Sequence, residues 1–113
     1  MPEPSRGDVW LVDLEPIRGH EQGGRRPALV ISVDLFNHGP ADLVVVLPIT
    51  SRAKEIPFHV AVSPGEGGLK ERSYIKCEDV RSIAKERLAQ QWGAVSDSTL
   101  NDVEDRLRIL MGL

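Results

Sequence analysis

The stretch GHEQGGRRPALVIS, residues 19–32, crowds ionisable and amide side chains in front of an apolar run. A strand that begins at Pro27 would hold Arg25 and Arg26 at the rim of a sheet, where side chains reach solvent. A guanidinium group presents a planar fork of donors that matches phosphate oxygens, and the two preceding glycines let a ligand approach the backbone. The stretch therefore predicts a phosphate-binding loop, and an ion pair between either arginine and Glu21 is the competing interpretation.

A second group of polar residues follows the apolar run LVVVLPIT. In PITSRAK, residues 48–54, the hydroxyls of Thr50 and Ser51 stand beside the cations Arg52 and Lys54. Such hydroxyls can take part in catalysis, but at strand ends they more often cap a turn. Both interpretations stay open from the residues alone.

The third group is SYIKCEDV, residues 73–80. Strand alternation places Tyr74, Lys76 and Glu78 on one face and Ile75 and Cys77 on the other. An aromatic ring beside a cation suits a single-stranded nucleic acid, which is bound through stacking and phosphate contacts. A cross-strand ion pair beside a surface tyrosine explains the same residues equally well.

Short strands must position these three groups. The runs DVWLVDL, PALVISVD, LVVVLPIT, FHVAV and SYIKCEDVRSI recur at roughly ten-residue spacing, which predicts a small barrel or sandwich. The third run is apolar on both faces and is expected to be the central strand. Apolar residues at helical spacing follow a candidate N-cap, Ser96, and predict one amphipathic C-terminal helix. The expected fold is mainly β with a C-terminal helix, a small β-barrel.

Composition limits the organisation of the chain. Its 113 residues, 41% hydrophobic and 27% charged, suit one globular domain, which we place at 7–113 after a flexible arm at 1–6. The formal net charge of −3 gives no general attraction to a polyanion. Residues 18–54, however, hold five basic and three acidic side chains, so a polyanion site would be local.

The chain has few residues of the types that bind metals or form disulfides, which argues against both kinds of site. The single cysteine, Cys77, cannot form an internal disulfide, and the three histidines lack the close spacing of structural zinc ligands, so no metal and no cofactor is expected. No apolar run is long enough for a signal peptide or a membrane span. These observations predict a cytoplasmic protein without a membrane partner.

Taken in order, these segments resemble the MazF/PemK family of toxin endoribonucleases. The resemblance runs from Gly7 nearly to Leu113, and its most specific part is the G-x-E-Q-x-G-x-R-P signature at 19–27, followed by P-x-T at 48–50. It implies an SH3-like β-barrel with a C-terminal helix, the CcdB/MazF-type toxin fold. It also implies a growth-inhibiting homodimer of a type II toxin-antitoxin system that cuts single-stranded RNA, such as mRNA, at short sequences without metal. An antitoxin with a disordered acidic segment would silence it.

The resemblance further implies that the 2′-OH of the RNA is the nucleophile, which leaves a 2′,3′-cyclic phosphate and a 5′-OH. In the MazF-like branch the catalytic pair falls on Arg26 and Thr50. In the Kid-like branch the roles fall on His20, Lys76 and Glu78, where lysine and glutamate replace that branch's arginine and aspartate. RNA contacts are expected from Glu21, Gln22, Arg25, Ser51, Arg52, Lys54, Phe58 and Tyr74.

Two other functions fit a small toxin-like barrel. One is a CcdB-like poison that acts on DNA gyrase without cutting anything, although the signature at 19–27 argues against it. The other is a catalytically silent module that binds RNA or an antitoxin, because Lys76 and Glu78 depart from the Kid-like pattern.

Overall fold

The computed structural model describes residues 3–14 and 24–113, which form one antiparallel sheet and a C-terminal helix. The strands are β1 (Asp8–Asp13), β2 (Arg25–Val30), β3 (Leu43–Thr50), β4 (His59–Val62), β5 (Ser73–Lys76), β6 (Arg81–Ala84) and β7 (Leu88–Ala94). The helices are α1 (Asp34–Asn37) and α2 (Asp97–Met111), with short 3-10 turns at Glu66–Gly68 and Lys85–Arg87. The predicted mainly β fold with a C-terminal helix is confirmed.

The strand order is β4-β5-β3-β2-β1-β7, and β6 pairs with β3 beside this path. β3 therefore pairs with three strands, β2, β5 and β6, which confirms that the doubly apolar run is central. Among the strands of residues 3–14 and 24–113, β4 and β7 lie at opposite ends and do not pair with each other. The sheet is thus not closed, and the predicted barrel describes its shape only loosely.

Strand alternation divides the interior into two apolar clusters. On β1, Val9 faces the first cluster and Trp10 faces the second, and both are buried. The first cluster includes Ile75 and Cys77 of the predicted inward face, together with Val103 of α2. Because the central strands bury both faces, they are apolar at successive positions rather than alternating.

Ser96 caps α2 as expected from the sequence. Its Oγ accepts a hydrogen bond from the backbone N–H of Thr99 at 3.2 Å. The Glu66 carboxylate then accepts from Ser96 N, Ser96 Oγ and Thr99 Oγ1 at 3.0, 3.2 and 2.5 Å. The hydrogen bond from Thr99, with those from Ser96, lowers the pKa of Glu66 below its usual value. No helix in 3–14 and 24–113 is long and apolar enough to cross a membrane.

Two parts of the strand pattern differ from the expectation. The run SYIKCEDVRSI is not one strand, because a turn in which Asp79 N donates to Lys76 O at 3.1 Å separates β5 from β6. β7 was not expected at all. Its sequence LAQQWGA is mostly exposed, and it lacks the apolar alternation that reveals a strand with one buried face.

Residues 3–6, the described part of the expected arm, contact the sheet and both helices. Arg6 N donates to Asp34 Oδ1 at 2.8 Å, and Arg6 Nη1 donates to Ile31 O at 3.1 Å. The same guanidinium forms an ion pair with Glu104 of α2. These contacts connect the chain start to α1 and α2.

Candidate functional site

An open groove of about 1030 Å³ crosses one end of the sheet. Its walls come from the start of β2, the end of β3 with residues 51–56, the segment 68–73, and residues 90–92 of β7. We call this space the groove. The segments that were predicted separately from sequence, 25–27, 49–54 and 76–78, all contribute to it.

Arg26 and Thr50 lie on neighbouring strands at the groove. The antiparallel register of β2 and β3 pairs Ala28 with Pro48 and Val30 with Val46. Arg26 and Thr50 each lie two residues beyond the Ala28–Pro48 pair, and both line the groove. Thr50 Oγ1 accepts a hydrogen bond from Arg52 N at 3.2 Å, so this hydroxyl does cap the turn after β3. The turn contact and a role toward a phosphate are compatible, because the amide uses a lone pair and not the hydroxyl hydrogen.

The groove is locally basic although the chain is acidic. Five cationic side chains and two carboxylates line it: Arg26, Arg52, Lys54, Lys70 and Lys76 against Glu71 and Glu78. This gives an excess of three positive formal charges in a protein whose net charge is −3. Such a concave basic surface attracts a polyanion independently of the overall charge.

Lys76 and Glu78 line the groove together, and each has a partner. Lys76 Nζ lies 3.6 Å from Asp79 Oδ2 across the turn after β5. Glu78 Oε2 lies 2.9 Å from Nε2 of His59, the first residue of β4. The Lys76–Asp79 contact is a local ion pair across the turn, whereas the His59–Glu78 contact joins β4 to the residues that follow β5.

The remaining predicted residues divide into three groups. Ser51 lines the groove with Arg52 and Lys54. Arg25, Phe58 and Tyr74 are not among its lining residues: Arg25 lies opposite Asp13 of β1, the Phe58 ring packs against the first apolar cluster, and Tyr74 is half-buried on β5. His20, Glu21 and Gln22 lie outside the described residues, as does any ion pair to Glu21.

Sequence reasoning missed one wall of the groove. Gln90, Gln91 and Trp92 of β7 line it, and the Trp92 side chain is 37% exposed. The adjoining wall comes from segment 68–73, which approaches β7 so closely that a Cβ on Gly68 would lie 2.3 Å from Trp92 O. A tryptophan that follows two glutamines was the available signal, because such a ring usually has an apolar partner or a ligand.

His59 was also missed as a site residue. Its side chain is only 4% exposed, yet its ring reaches the groove through the hydrogen bond to Glu78. The sequence shows it only as the polar member of an alternating strand.

Cys77, next to Glu78 in sequence, is buried and does not line the groove. Burial raises the pKa of its thiol to about 12, with a smaller contribution from the Glu78 carboxylate. The thiol is therefore protonated and turned into the core. Within residues 3–14 and 24–113, no group of three or more His, Cys, Asp or Glu side chains could hold a metal ion.

The fold and the groove define a small antiparallel-sheet domain with a locally basic groove at one end. The chain belongs to the family of PemK-like, MazF-like toxins of type II toxin-antitoxin systems, whose family model matches residues 5–111. It is 39% identical to Endoribonuclease MazF9 of Mycobacterium tuberculosis, over 96% of each chain.

Solved structures agree with this assignment. MazF from Deinococcus radiodurans superposes with a TM-score of 0.87 at 33% identity, covering all of both chains. A MazE-MazF structure from the same organism has a TM-score of 0.82 at 34% identity and covers 100% of this chain and 99% of that one. The chain is thus a MazF-type toxin of the endoribonuclease family.

Proposed function

We propose that this MazF-type toxin endoribonuclease cuts single-stranded RNA in the groove, using the substrate's own 2′-OH as nucleophile and no metal. The observation that carries the proposal is the excess of three positive charges in the groove of an otherwise acidic chain. An unpaired RNA strand supplies the matching row of phosphates, and its splayed bases can reach Trp92 at the wall.

The reaction needs one bond formed, one bond broken and two protons moved. The 2′-oxygen loses its proton and bonds to phosphorus, the bond from phosphorus to the 5′-oxygen breaks, and that oxygen takes up a proton. The products are a 2′,3′-cyclic phosphate and a 5′-OH. No enzyme nucleophile is needed, so the protein positions the strand and stabilises charge on the phosphorane-like transition state.

Arg26 and Thr50 suit the charge-stabilising part of this work. The Arg26 guanidinium can donate two hydrogen bonds to the phosphate or protonate the leaving oxygen. Thr50 Oγ1 is held by the Arg52 amide, which leaves its hydrogen to donate to a phosphate oxygen. Because β2 and β3 are paired strands, this donor pair is fixed by the sheet rather than by a loop.

Glu78 and Lys76 suit the proton transfers. Glu78 is the candidate base on the 2′-OH, and Lys76 is the candidate acid toward the 5′-oxygen. Their side chains line the groove on the side of β5, with exposures of 31% for Glu78 and 21% for Lys76. His20 would add a further phosphate donor in this scheme.

The groove also suggests how an antitoxin would bind. The cognate antitoxin would insert a disordered acidic segment into the groove, mask its cations and block RNA. Structures in which MazE is bound to MazF exist for the Deinococcus radiodurans proteins. The toxin would act in the cytoplasm as a homodimer, and the apolar side chains left exposed at the end of α2, Ile109, Met111 and Leu113, support a second subunit.

The test is incubation of antitoxin-free protein with a long, largely unpaired RNA in EDTA, followed by mapping of cut positions and end groups. Discrete cuts with 5′-OH ends, lost in Arg26→Ala, would support the proposal. Arg108→Ala is the matched control, because Arg108 lies on α2 and pairs with Glu104 at 3.9 Å. Absence of cutting by the folded wild-type protein would instead favour a silent module that binds RNA or the antitoxin.

A further inference from the structure

We infer that His59 is a positioning residue of the nuclease site, which holds the Glu78 carboxylate in the orientation required of a base. The inference rests on the proposed function, since it assigns a partner to Glu78, the proposed base. His59 opens β4 and Glu78 follows the end of β5, and the β4–β5 register pairs His59 with Lys76, two residues before Glu78. The sheet therefore brings the imidazole and the carboxylate together across 19 residues of sequence.

Burial makes the histidine the fixed partner of the pair. The His59 side chain is 4% exposed and the Glu78 side chain is 31% exposed. A buried ring on a paired strand has few accessible rotamers, whereas a glutamate on a turn can rotate about three side-chain bonds. The 2.9 Å hydrogen bond thus restrains the mobile group by attaching it to the rigid one.

The other ring nitrogen identifies the tautomer. Nδ1 of His59 is buried and has no hydrogen-bond partner within the described residues. A proton on Nδ1 would need an acceptor that the described residues do not supply, which is costly in a buried site. The geometry points to the tautomer that carries its proton on Nε2 and donates it to Glu78.

This arrangement leaves one carboxylate oxygen for the substrate. Glu78 Oε2 accepts from the His59 ring, so Oε1 is the oxygen that can accept the proton of the 2′-OH. A glutamate has one more rotatable bond than an aspartate, and without the ring its carboxylate would sample several orientations. His59 acts on the rate through Glu78, and contact with RNA is not required.

Two histidine variants separate the hydrogen bond from the shape of the ring. Glutamine carries its amide N–H at about the reach of Nε2, and asparagine carries it at about the reach of Nδ1. We expect His59→Asn to lower kcat on the order of 10-fold with little change in KM, and His59→Gln to recover most of that loss. Glu78→Gln should lower kcat on the order of 100-fold. The double variant His59→Asn/Glu78→Gln should match Glu78→Gln alone, because no carboxylate is left to orient.

His38→Gln is the matched control, because its ring bonds to Pro4 O at 2.8 Å and lies outside the groove. Equal losses in both His59 variants, or multiplying losses in the double variant, would overturn the positioning role. If the wild-type protein cuts RNA and Glu78→Gln does so at the same rate, the inference fails while the nuclease proposal stands. If the wild-type protein cuts nothing, the nuclease proposal itself fails.

A second measurement does not depend on how well the variants fold. Nitrogen-15 NMR of the wild-type ring reports which nitrogen is protonated. The Nε2–H tautomer of His59 is the expected result. A proton on Nδ1 of a neutral ring would leave Nε2 unable to donate to Glu78 and would overturn the inference.

Discussion

Arg6 precedes β1 and Arg26 lies near the start of β2, but the two arginines have opposite surroundings. The guanidinium of Arg6 donates to Ile31 O and forms an ion pair with Glu104, so it connects the chain start to α2. Arg26 belongs to a groove where cations outnumber carboxylates by three. The first site is neutral as a set and stabilises the fold. The second has a positive formal charge among its described lining residues, which favours an anionic ligand.

The largest expected effects differ between the two arginines: replacing one lowers activity, and replacing the other lowers stability. Arg26→Ala should lower the RNA cleavage rate by about 100-fold or more, because a charge-stabilising donor is lost, with little change in the free energy of unfolding. Arg6→Ala should leave the cleavage rate unchanged and lower the free energy of unfolding by ~1–2 kcal/mol. Single-turnover cleavage and urea denaturation measure the two quantities. Loss of activity in a fully folded Arg6 variant would break the contrast.

Trp92 tests whether the β7 wall of the groove contacts bases. Its ring is 37% exposed, so stacking on a base would need no rearrangement of the core. Trp92→Ala should weaken binding of a non-cleavable 2′-O-methyl RNA about 10-fold, and Trp92→Phe should retain most of the affinity. Fluorescence anisotropy gives both dissociation constants. Equal affinity in the alanine variant would assign this wall to a structural role.

A smaller effect should separate a groove lysine from a structural lysine. Lys70 lines the groove, whereas Lys85 donates to Asn37 O at 2.8 Å and pairs with Glu3 at 3.4 Å. If Lys70 contacts a phosphate, Lys70→Ala should reduce the slope of log affinity against log salt by about 0.7. Lys85→Ala should leave that slope unchanged. Salt titrations of RNA binding supply the measurement, and identical slopes for both variants would remove Lys70 from the interface.

The smallest expected effect is on the pH dependence of stability, and it concerns a residue that does not line the groove. The pKa of Glu66 is lowered in the folded state by the hydrogen bonds from Thr99 and Ser96. Its contribution to stability is therefore complete above its ordinary pKa of 4.5 and is lost as the pH falls through the lower folded value. Glu66→Gln should make the free energy of unfolding less dependent on pH in this acidic range. A variant with an unchanged acid profile would contradict this assignment.

The sequence predicted those parts of the fold whose burial leaves an apolar run or an apolar period. β1, β3 and the Ser96-capped helix followed from apolar spacing and cap chemistry. β7 could not be found in this way, because an exposed edge strand with two glutamines and a tryptophan has no buried period. Its place in the groove depends on the close approach of Gly68, which is a tertiary contact.

In the candidate site, too, the sequence predicts the residues of local motifs but not the contacts between strands. Local motifs predict Arg26 and Thr50, and both line the groove at the ends of neighbouring strands. The pairing of His59 with Glu78 could not be foreseen, because it requires the β4–β5 register and the turn that ends β5. Chemistry that resides in one segment is visible in sequence, and chemistry that two strands share becomes visible only after folding.

The buried thiol of Cys77 has a consequence for how the toxin responds to its surroundings. With its pKa raised to about 12, almost none of the thiol is present as the thiolate that oxidants and alkylating reagents attack. Although this residue stands between Lys76 and Glu78 in sequence, its sulfur points into the core. Oxidants are therefore not expected to change the activity of the folded toxin through Cys77.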